Sequence, residues 1–370
     1  MIYLDHAATS LQKPESVYEA VSNTMRTCAS IGRSSHTAAN RAAELAFECR
    51  CAAANMFDTE PEQVVFTQNA THGLNIAIHT LVKPGNKVVI SGFEHNAVLR
   101  PLIHAGAEIQ IAGRILFDSY DTITAFERMI TWDTAAVVCT HVSNVFGYVL
   151  PLEEIAKLCK TKDVPLIVDA AQSAGVLPLS LKKLEASFIA MPGHKALMGP
   201  QGTGLLLCGC LPDPLLQGGT GSLSRLAQMP DFLPDRGEAG TQNTPGIAGL
   251  LAGLQFLEQT GLETIAKKEK ALMDILVKGL SQIPDVRVFA GDDYTQISAV
   301  SFTTHKDCEW IGEQLAMKNI AVRCGLHCAP IAHESVGTLL TGTVRISPGF
   351  FNTSGELSMF LHNLSSILKS

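Results

Sequence analysis

Residues 191–200, MPGHKALMGP, follow the apolar run Phe188-Ile189-Ala190 and place His194 and Lys195 between Gly193 and a Gly199-Pro200 turn. Most Gly-Lys pairs put a solvated lysine in a surface loop. Here the lysine ends an apolar run in a chain only 17% charged, and a lysine held at the end of a buried strand is a candidate for chemistry. The segments on either side decide between the two.

Short apolar runs recur at 63–67, 87–91, 108–112, 135–140, 165–169, 187–191 and 204–208, with helical stretches between them, including 38–56, 72–81, 96–105 and 152–160. Continuous apolar strands separated by helices predict an α/β fold whose mainly parallel sheet is covered on both faces. Segment 210–244 is rich in Gly and Pro and reads as a long loop, of the kind that is functional or lies at an interface. A helical stretch over about 246–281 follows, then a hairpin-like region over 286–302 and a helix over 307–318. This change of pattern predicts a second domain beginning near 255, and the bounds taken are 15–254 for a large domain and 1–14 with 255–370 for a smaller α+β domain.

In open parallel sheets ligands bind beyond the carboxyl ends of the strands. The run 87–91 leads into Gly92-Phe93-Glu94-His95-Asn96, and 135–140 into His141-Val142-Ser143-Asn144. The run 165–168 ends in Asp169-Ala170-Ala171-Gln172, and 187–191 in Pro192-Gly193-His194-Lys195. His95, Asn144, Asp169, Gln172, His194 and Lys195 thus collect at one rim. Any one alone would be a cap, but six together favour an active site over a solvated loop.

Composition narrows the class. The 370 residues are 46% hydrophobic, with a net charge of −7 and no block of like charge, which argues against nucleic acid or an acidic membrane as partner. No basic-then-apolar leader opens the sequence, and no apolar run approaches the roughly 20 residues that span a bilayer. A soluble cytoplasmic protein is the expectation. The ten cysteines (28, 49, 51, 139, 159, 208, 210, 308, 324 and 328) are scattered without disulfide-framework or zinc spacing. No metal site is expected, and most of these thiols should be small buried hydrophobes.

A lysine and an aspartate at neighbouring strand ends suit pyridoxal phosphate (PLP). That cofactor needs an amine for its aldehyde and a carboxylate that keeps its pyridine nitrogen protonated. The imidazole of His95 could cover the ring, and 67–73, passing from strand into helix, supplies backbone donors for the phosphate.

These residues lie in segments that resemble the fold-type I PLP enzymes of the class V aminotransferase group, specifically the cysteine desulfurase and selenocysteine lyase family. The segments run in order: YLDHAAT (3–9), FTQNATHGLN (66–75), EHNA (94–97), THVSNVFG (140–147), VDAAQ (168–172), GHKALMGPQGTG (193–204), EAGTQNTPGI (238–247), VRCGLHCAP (322–330) and VRISPGFFNT (344–353). The resemblance implies a mainly parallel seven-stranded sheet in the large domain and a small domain carrying a cysteine loop. It implies that Lys195 bonds the cofactor, Asp169 meets the pyridine nitrogen, His95 stacks on the ring and Gln172 bonds the ring oxygen. Asn144 would lie beside substrate and cofactor. Thr71 with Ala70, and His194, would hold the phosphate, and Thr241 would be lent by the other subunit of a homodimer.

Cys328, in the Arg-x-Gly-x-x-Cys pattern of the family's second subgroup, matches the nucleophile that takes sulfur from L-cysteine as a persulfide and leaves alanine. Such a nucleophile is expected in a mobile, partly exposed loop near positive charge, with Arg323 and His327 close by. Arg345 matches the arginine that holds the substrate carboxylate, with Arg323 and Asn144 nearby. The family's role implies a sulfur-acceptor protein and iron–sulfur cluster assembly. The sequence departs from the usual pattern at Pro192, where many relatives have a hydroxyl, in the phosphate loop Asn69-Ala70-Thr71-His72, and at the additional thiol Cys324. Selenocysteine lysis or another class V aminotransferase reaction is the alternative within enzymes. A thiol-rich metal- or redox-binding protein using Cys324 and Cys328 is the alternative outside them.

Overall fold

A computed structural model describes residues 1–32, 34–292 and 295–369. Seven strands form the main sheet: β1 (Val64–Thr67), β2 (Lys87–Ser91), β3 (Glu108–Ala112), β4 (Thr134–Thr140), β5 (Leu166–Asp169), β6 (Phe188–Pro192) and β7 (Gly204–Cys208). Their spatial order is β1-β7-β6-β5-β4-β2-β3, and only β7 runs antiparallel to its neighbours. Apart from the edge strand β3, whose Glu108 and Gln110 are exposed, the apolar runs are continuous because both faces are covered. Val89, Val137 and Val168 point into one core, while Val88, Val138 and Ile167 point into the other. Alternate side chains of a strand face opposite ways, so a strand buried on both sides carries no polar position to break the run.

A third core joins Leu4 to residues from the helices Leu262–Leu280, Cys308–Met317 and Ser354–Lys369. They pack on a four-stranded antiparallel sheet of β8 (Arg287–Phe289), β9 (Val300–Thr303), β10 (Arg323–Gly325) and β11 (Thr343–Ile346), ordered β10-β11-β9-β8. The hairpin-like region over 286–302 is therefore the β8–β9 pair, apart from 293–294, which lie outside the described residues.

The helical stretch over 246–281 is two helices, Thr244–Thr260 and Leu262–Leu280. They part at Gly261, whose φ of 82° belongs to the left-handed region that favours glycine. The first helix runs unbroken across 254/255 and gives Ile247, Leu250, Leu254 and Leu257 to the main core. The main core continues past the glycine joint to Ile265, and the third core takes over from Leu272. Segment 209–243 carries only one short turn of helix, at Asp235–Gly237.

Candidate active site

Three contacts shape the turn after β6. Gly193 N–H donates to Thr203 O at 2.8 Å, Met198 N–H to Lys195 O at 3.0 Å and Gly199 N–H to Gly193 O at 2.8 Å. Helix Thr244–Thr260 lies directly on this turn through Gly253, where an added Cβ would stand 2.3 Å from Leu197 O. The N-terminal segment clasps it from the other side, with Ser10 N–H donating to His194 O at 3.0 Å and Ser10 Oγ to Lys195 O at 2.9 Å. Lys195 is thus fixed by its backbone, with its side chain in a cavity of about 290 Å³.

That cavity gathers Ala70, Thr71, His95, Asn144, Asp169, Gln172, His194, Arg323, Cys328 and Arg345 around Lys195, and Thr241 stays outside it. Burial pushes the Lys195 amine down to about 8, against the pull of Asp169. Asp169 ends β5, is 2% exposed and takes the Ala171 N–H at 2.9 Å. Burial raises its carboxyl above the ordinary range, and it has no ion-pair partner among the described residues. A protonated pyridine nitrogen would supply the missing countercharge.

His95 caps the helix Asn96–His104 by accepting the Ala97 N–H on Nδ1 at 3.0 Å. Burial, with Lys195 and the arginines nearby, pushes its ring down to about 4, so a neutral imidazole faces the cavity. Gln172 is held by Nε2 donating to Ala7 O at 2.9 Å. Asn69 caps the helix Ala70–Leu81 by accepting the His72 N–H at 2.9 Å. The cap leaves the first-turn donors of Ala70 and Thr71 at the cavity wall. His194 shares a 3.0 Å hydrogen bond with Thr9 Oγ1 and is neutral, its ring pushed to about 4 by burial. An amine, an opposed buried carboxylate, a flat neutral ring and a helix N-terminus together fit PLP. Pro192 offers that group no hydroxyl.

On the small-domain side, Arg323 of β10 stands directly opposite Arg345 of β11. Arg345 is 1% exposed and donates from Nη1 to Asn144 O at 2.8 Å and from Nη2 to Asp5 Oδ1 at 2.5 Å, while its Nε is buried without a partner among the described residues. Cys328 is exposed, with Arg323 Nη2 3.8 Å from its Sγ.

The cysteine loop is short and carries two hydrogen bonds from the large domain. It spans four residues, 326–329, between β10 and the helix Pro330–Val336. It is tied down by Asn96 N–H donating to Cys328 O at 2.7 Å and Asn144 Nδ2 to His327 O at 2.8 Å. His327 brings no positive charge. Its ring is 3% exposed, turned to Thr343, and pushed down to about 2 by burial and by Arg345. Arg323 is the charged side chain recorded against the sulfur among the described residues.

Cys324 faces away from the site. Strand alternation turns it toward the helix Cys308–Met317, where a Cβ on Gly312 would stand 2.6 Å from its Sγ. Burial holds its thiol up at about 12. Cys324 therefore packs against that helix while Cys328 lines the active-site cavity, which gives no support to a site shared between them. Sequence reasoning missed Asp5, the partner of Arg345, and Glu94, buried between β2 and β4, although both lie in quoted segments.

A family model described as Aminotransferase class-V matches residues 2–360. A probable cysteine desulfurase of Pyrococcus abyssi is 31% identical over 386 residues, covering 100% of this chain and 95% of that protein. One from Mycolicibacterium paratuberculosis is 32% identical over 98% of this chain, which spans 54% of that longer protein. The apo structure of a cysteine desulfurase from Thermococcus onnurineus NA1 matches with a TM-score of 0.90 at 31% identity, over 100% of this chain and 94% of that one. With a match that runs almost from end to end and an architecture shared with a solved relative, the chain belongs to the class V aminotransferase family, within its cysteine desulfurase group.

Proposed function

We propose that this chain is a PLP-dependent cysteine desulfurase that converts L-cysteine to L-alanine and keeps the sulfur as a persulfide on Cys328. The observation that carries the reading is the exposed Cys328 sulfur, in one cavity with Lys195 and touched by Arg323. PLP bound here would supply the electron sink that lets bonds at the α and β carbons of an amino acid break. Lys195 would hold the cofactor and move protons on its Nζ, with its basicity lowered by burial. Asp169 would hold the pyridine nitrogen protonated, His95 would cover the ring, and Gln172 would orient its oxygen. Ala70, Thr71 and His194 would take the phosphate.

Arg345 would bind the substrate carboxylate and Asn144 would lie beside it. Cys328 Sγ bonds the substrate sulfur as the sulfur–Cβ bond breaks, and a proton takes the vacated place on Cβ. Two thiols thus become one persulfide and one C–H bond, without an outside oxidant. Thr241 is exposed and borders a separate cavity with Thr67, Gln68 and His72. That position supports a homodimer in which the partner subunit's Thr241 completes the phosphate site. A sulfur-acceptor protein that collects the persulfide completes the cycle, a role suited to the cytoplasm. Among the described residues no helix is long and apolar enough to cross a membrane.

Purified protein loaded with PLP and given L-cysteine should yield alanine and a persulfide that peptide mapping finds on Cys328. Alanine without persulfide, or amino-group transfer to a keto acid, would sink the desulfurase reading. Turnover of L-selenocysteine alone would replace it with the lyase.

A further inference from the structure

Behind Lys195, on the side away from Cys328, lies a small cavity of about 30 Å³ walled by Lys195, Gln172, His6, Glu269 and Ser298. A second cavity of about 230 Å³ opens to solvent between the helix Leu262–Leu280, residues 291–298 and Val176-Leu177. Val176, Glu269 and Ser298 wall both, so these three residues lie between the open cleft and the cavity that Lys195 lines. Two of the three are polar. Glu269 is 7% exposed and accepts the Phe350 N–H, with no ion-pair partner among the described residues. Ser298 holds a φ of 61°, unusual for a residue with a Cβ, and its buried Oγ has no partner among the described residues. The small cavity has room for about two waters, which need such polar partners.

We propose that this cleft is a rear entrance to the active site, through which Glu269 and Ser298 relay protons between solvent and Lys195. The proposal rests on the reading of Lys195 as the amine that bonds PLP. A cofactor and substrate held in the larger cavity would take up the space on that side of Lys195, and the small cavity would offer water a second approach to its amine. A proton leaves the Glu269 carboxyl, crosses the two waters and the Ser298 hydroxyl, and arrives on Lys195 Nζ. Solvent in the cleft then reprotonates Glu269, so one proton enters for each that Lys195 delivers.

The energetics suit transfer in either direction. Burial raises Glu269 to about 7 and lowers Lys195 to about 8, so the two groups hold a proton almost equally well. The other charged or titratable groups around Glu269 are Lys268, Lys270, Asp274 and Lys278 on its own helix, Asp292 across the cleft, and His6 beside Lys195. His6 is pushed down to about 4 by burial and stays neutral while Glu269 titrates.

The test uses the PLP-loaded protein with Cys328 alkylated by N-ethylmaleimide to close the front opening, and no amino acid present. After a pH jump from 7 to 9, the relaxation of the cofactor's visible band is followed by stopped flow. Glu269→Gln should slow it at least tenfold, Glu269→Asp should recover part of the rate, and Val277→Trp should slow it by plugging the cleft while leaving Glu269 in place. Relaxation within twofold of wild type in both Glu269→Gln and Val277→Trp would overturn the relay while leaving the desulfurase reading intact. Failure of wild type to form a visible band would overturn both.

Discussion

Glu94→Gln should make the protein progressively more stable than wild type as pH rises from 5 to 8. Glu94 is fully buried. Its Oε1 accepts hydrogen bonds from Ser91 Oγ and, at 2.7 Å, from Thr140 N–H, while its Oε2 has no partner among the described residues. Burial is the main cause that raises its carboxyl from 4.5 to about 8, Asp169 adds to it, and the Ser91 and Thr140 contacts offset it only in part. In the unfolded chain Glu94 ionises above pH 4.5, while in the native protein it holds its proton until about pH 8. Across that window the native state binds more protons, so rising pH favours unfolding by about tenfold per pH unit. The penalty is roughly 3 kcal/mol at pH 7 and between about 4 and 5 kcal/mol at pH 8, a large part of the roughly 5–15 kcal/mol that stabilises a typical native protein. Glutamine keeps an acceptor for Ser91 and Thr140 and cannot ionise. Its extra amide donors add a pH-independent cost of about 1–3 kcal/mol, so the slope carries the information rather than the offset. Urea unfolding of wild-type and Glu94→Gln apoprotein at pH 5, 6, 7 and 8 measures it. Parallel stability curves would refute a protonated Glu94.

The lowered basicity of Lys195 predicts that PLP uptake by apoprotein, followed by its visible band, accelerates about tenfold per unit of pH up to about 8 and then levels off. An uptake rate still climbing at pH 10 would show an ordinary lysine. Cys328→Ala should keep the coloured cofactor but form no persulfide from L-cysteine, while Cys324→Ala should keep at least half of wild-type activity because its thiol faces the Cys308–Met317 helix. Persulfide mapped to Cys324 at an undiminished rate in Cys328→Ala would reverse the assignment. Thr241→Ala should weaken PLP retention by roughly 0.5–1.5 kcal/mol, one net hydrogen bond or somewhat more to a charged phosphate. A monomer that stays fully loaded during size-exclusion chromatography would count against a ligand lent by the partner.

Most strands of the main sheet were legible because burial on both faces writes itself as uninterrupted apolar runs, while the edge strand Glu108–Ala112 reads as an alternation with Glu108 and Gln110 exposed. The runs over 87–91, 108–112 and 204–208 agree with the structure to the residue. The break at Gly261 was not legible, since apolar periodicity continues on both sides and a glycine inside a helix is tolerated at a cost of about 1 kcal/mol. Only its backbone, at a φ of 82°, makes that glycine a joint, since the main core runs on past it to Ile265 before Leu272 enters another cluster. The rim residues were legible from a topological rule that needs no distances. The orientation of His327 was not. Its place beside Cys328 suggests a cation, while its ring lies in a desolvated pocket under Thr343.

The arginine pair shows what strand register adds to a list of residues. Arg323 and Arg345 are 22 positions apart in sequence, and each alone reads as an anion ligand. Antiparallel pairing sets them face to face, an arrangement of like charge that destabilises a sheet when nothing intervenes. Asp5, brought in from the far end of the chain, neutralises one guanidinium through Arg345 Nη2. A positive charge then remains beside the Cys328 sulfur, and a buried Arg345 Nε remains without a partner among the described residues. A substrate carboxylate is an anion that can meet the guanidinium fork, and on the proposed reading Arg323 would stabilise sulfur that takes on negative charge during transfer. The two strands that meet at this register thus bring both guanidiniums into one cavity with Cys328 and Lys195, where the proposed carboxylate recognition and sulfur capture would share a site.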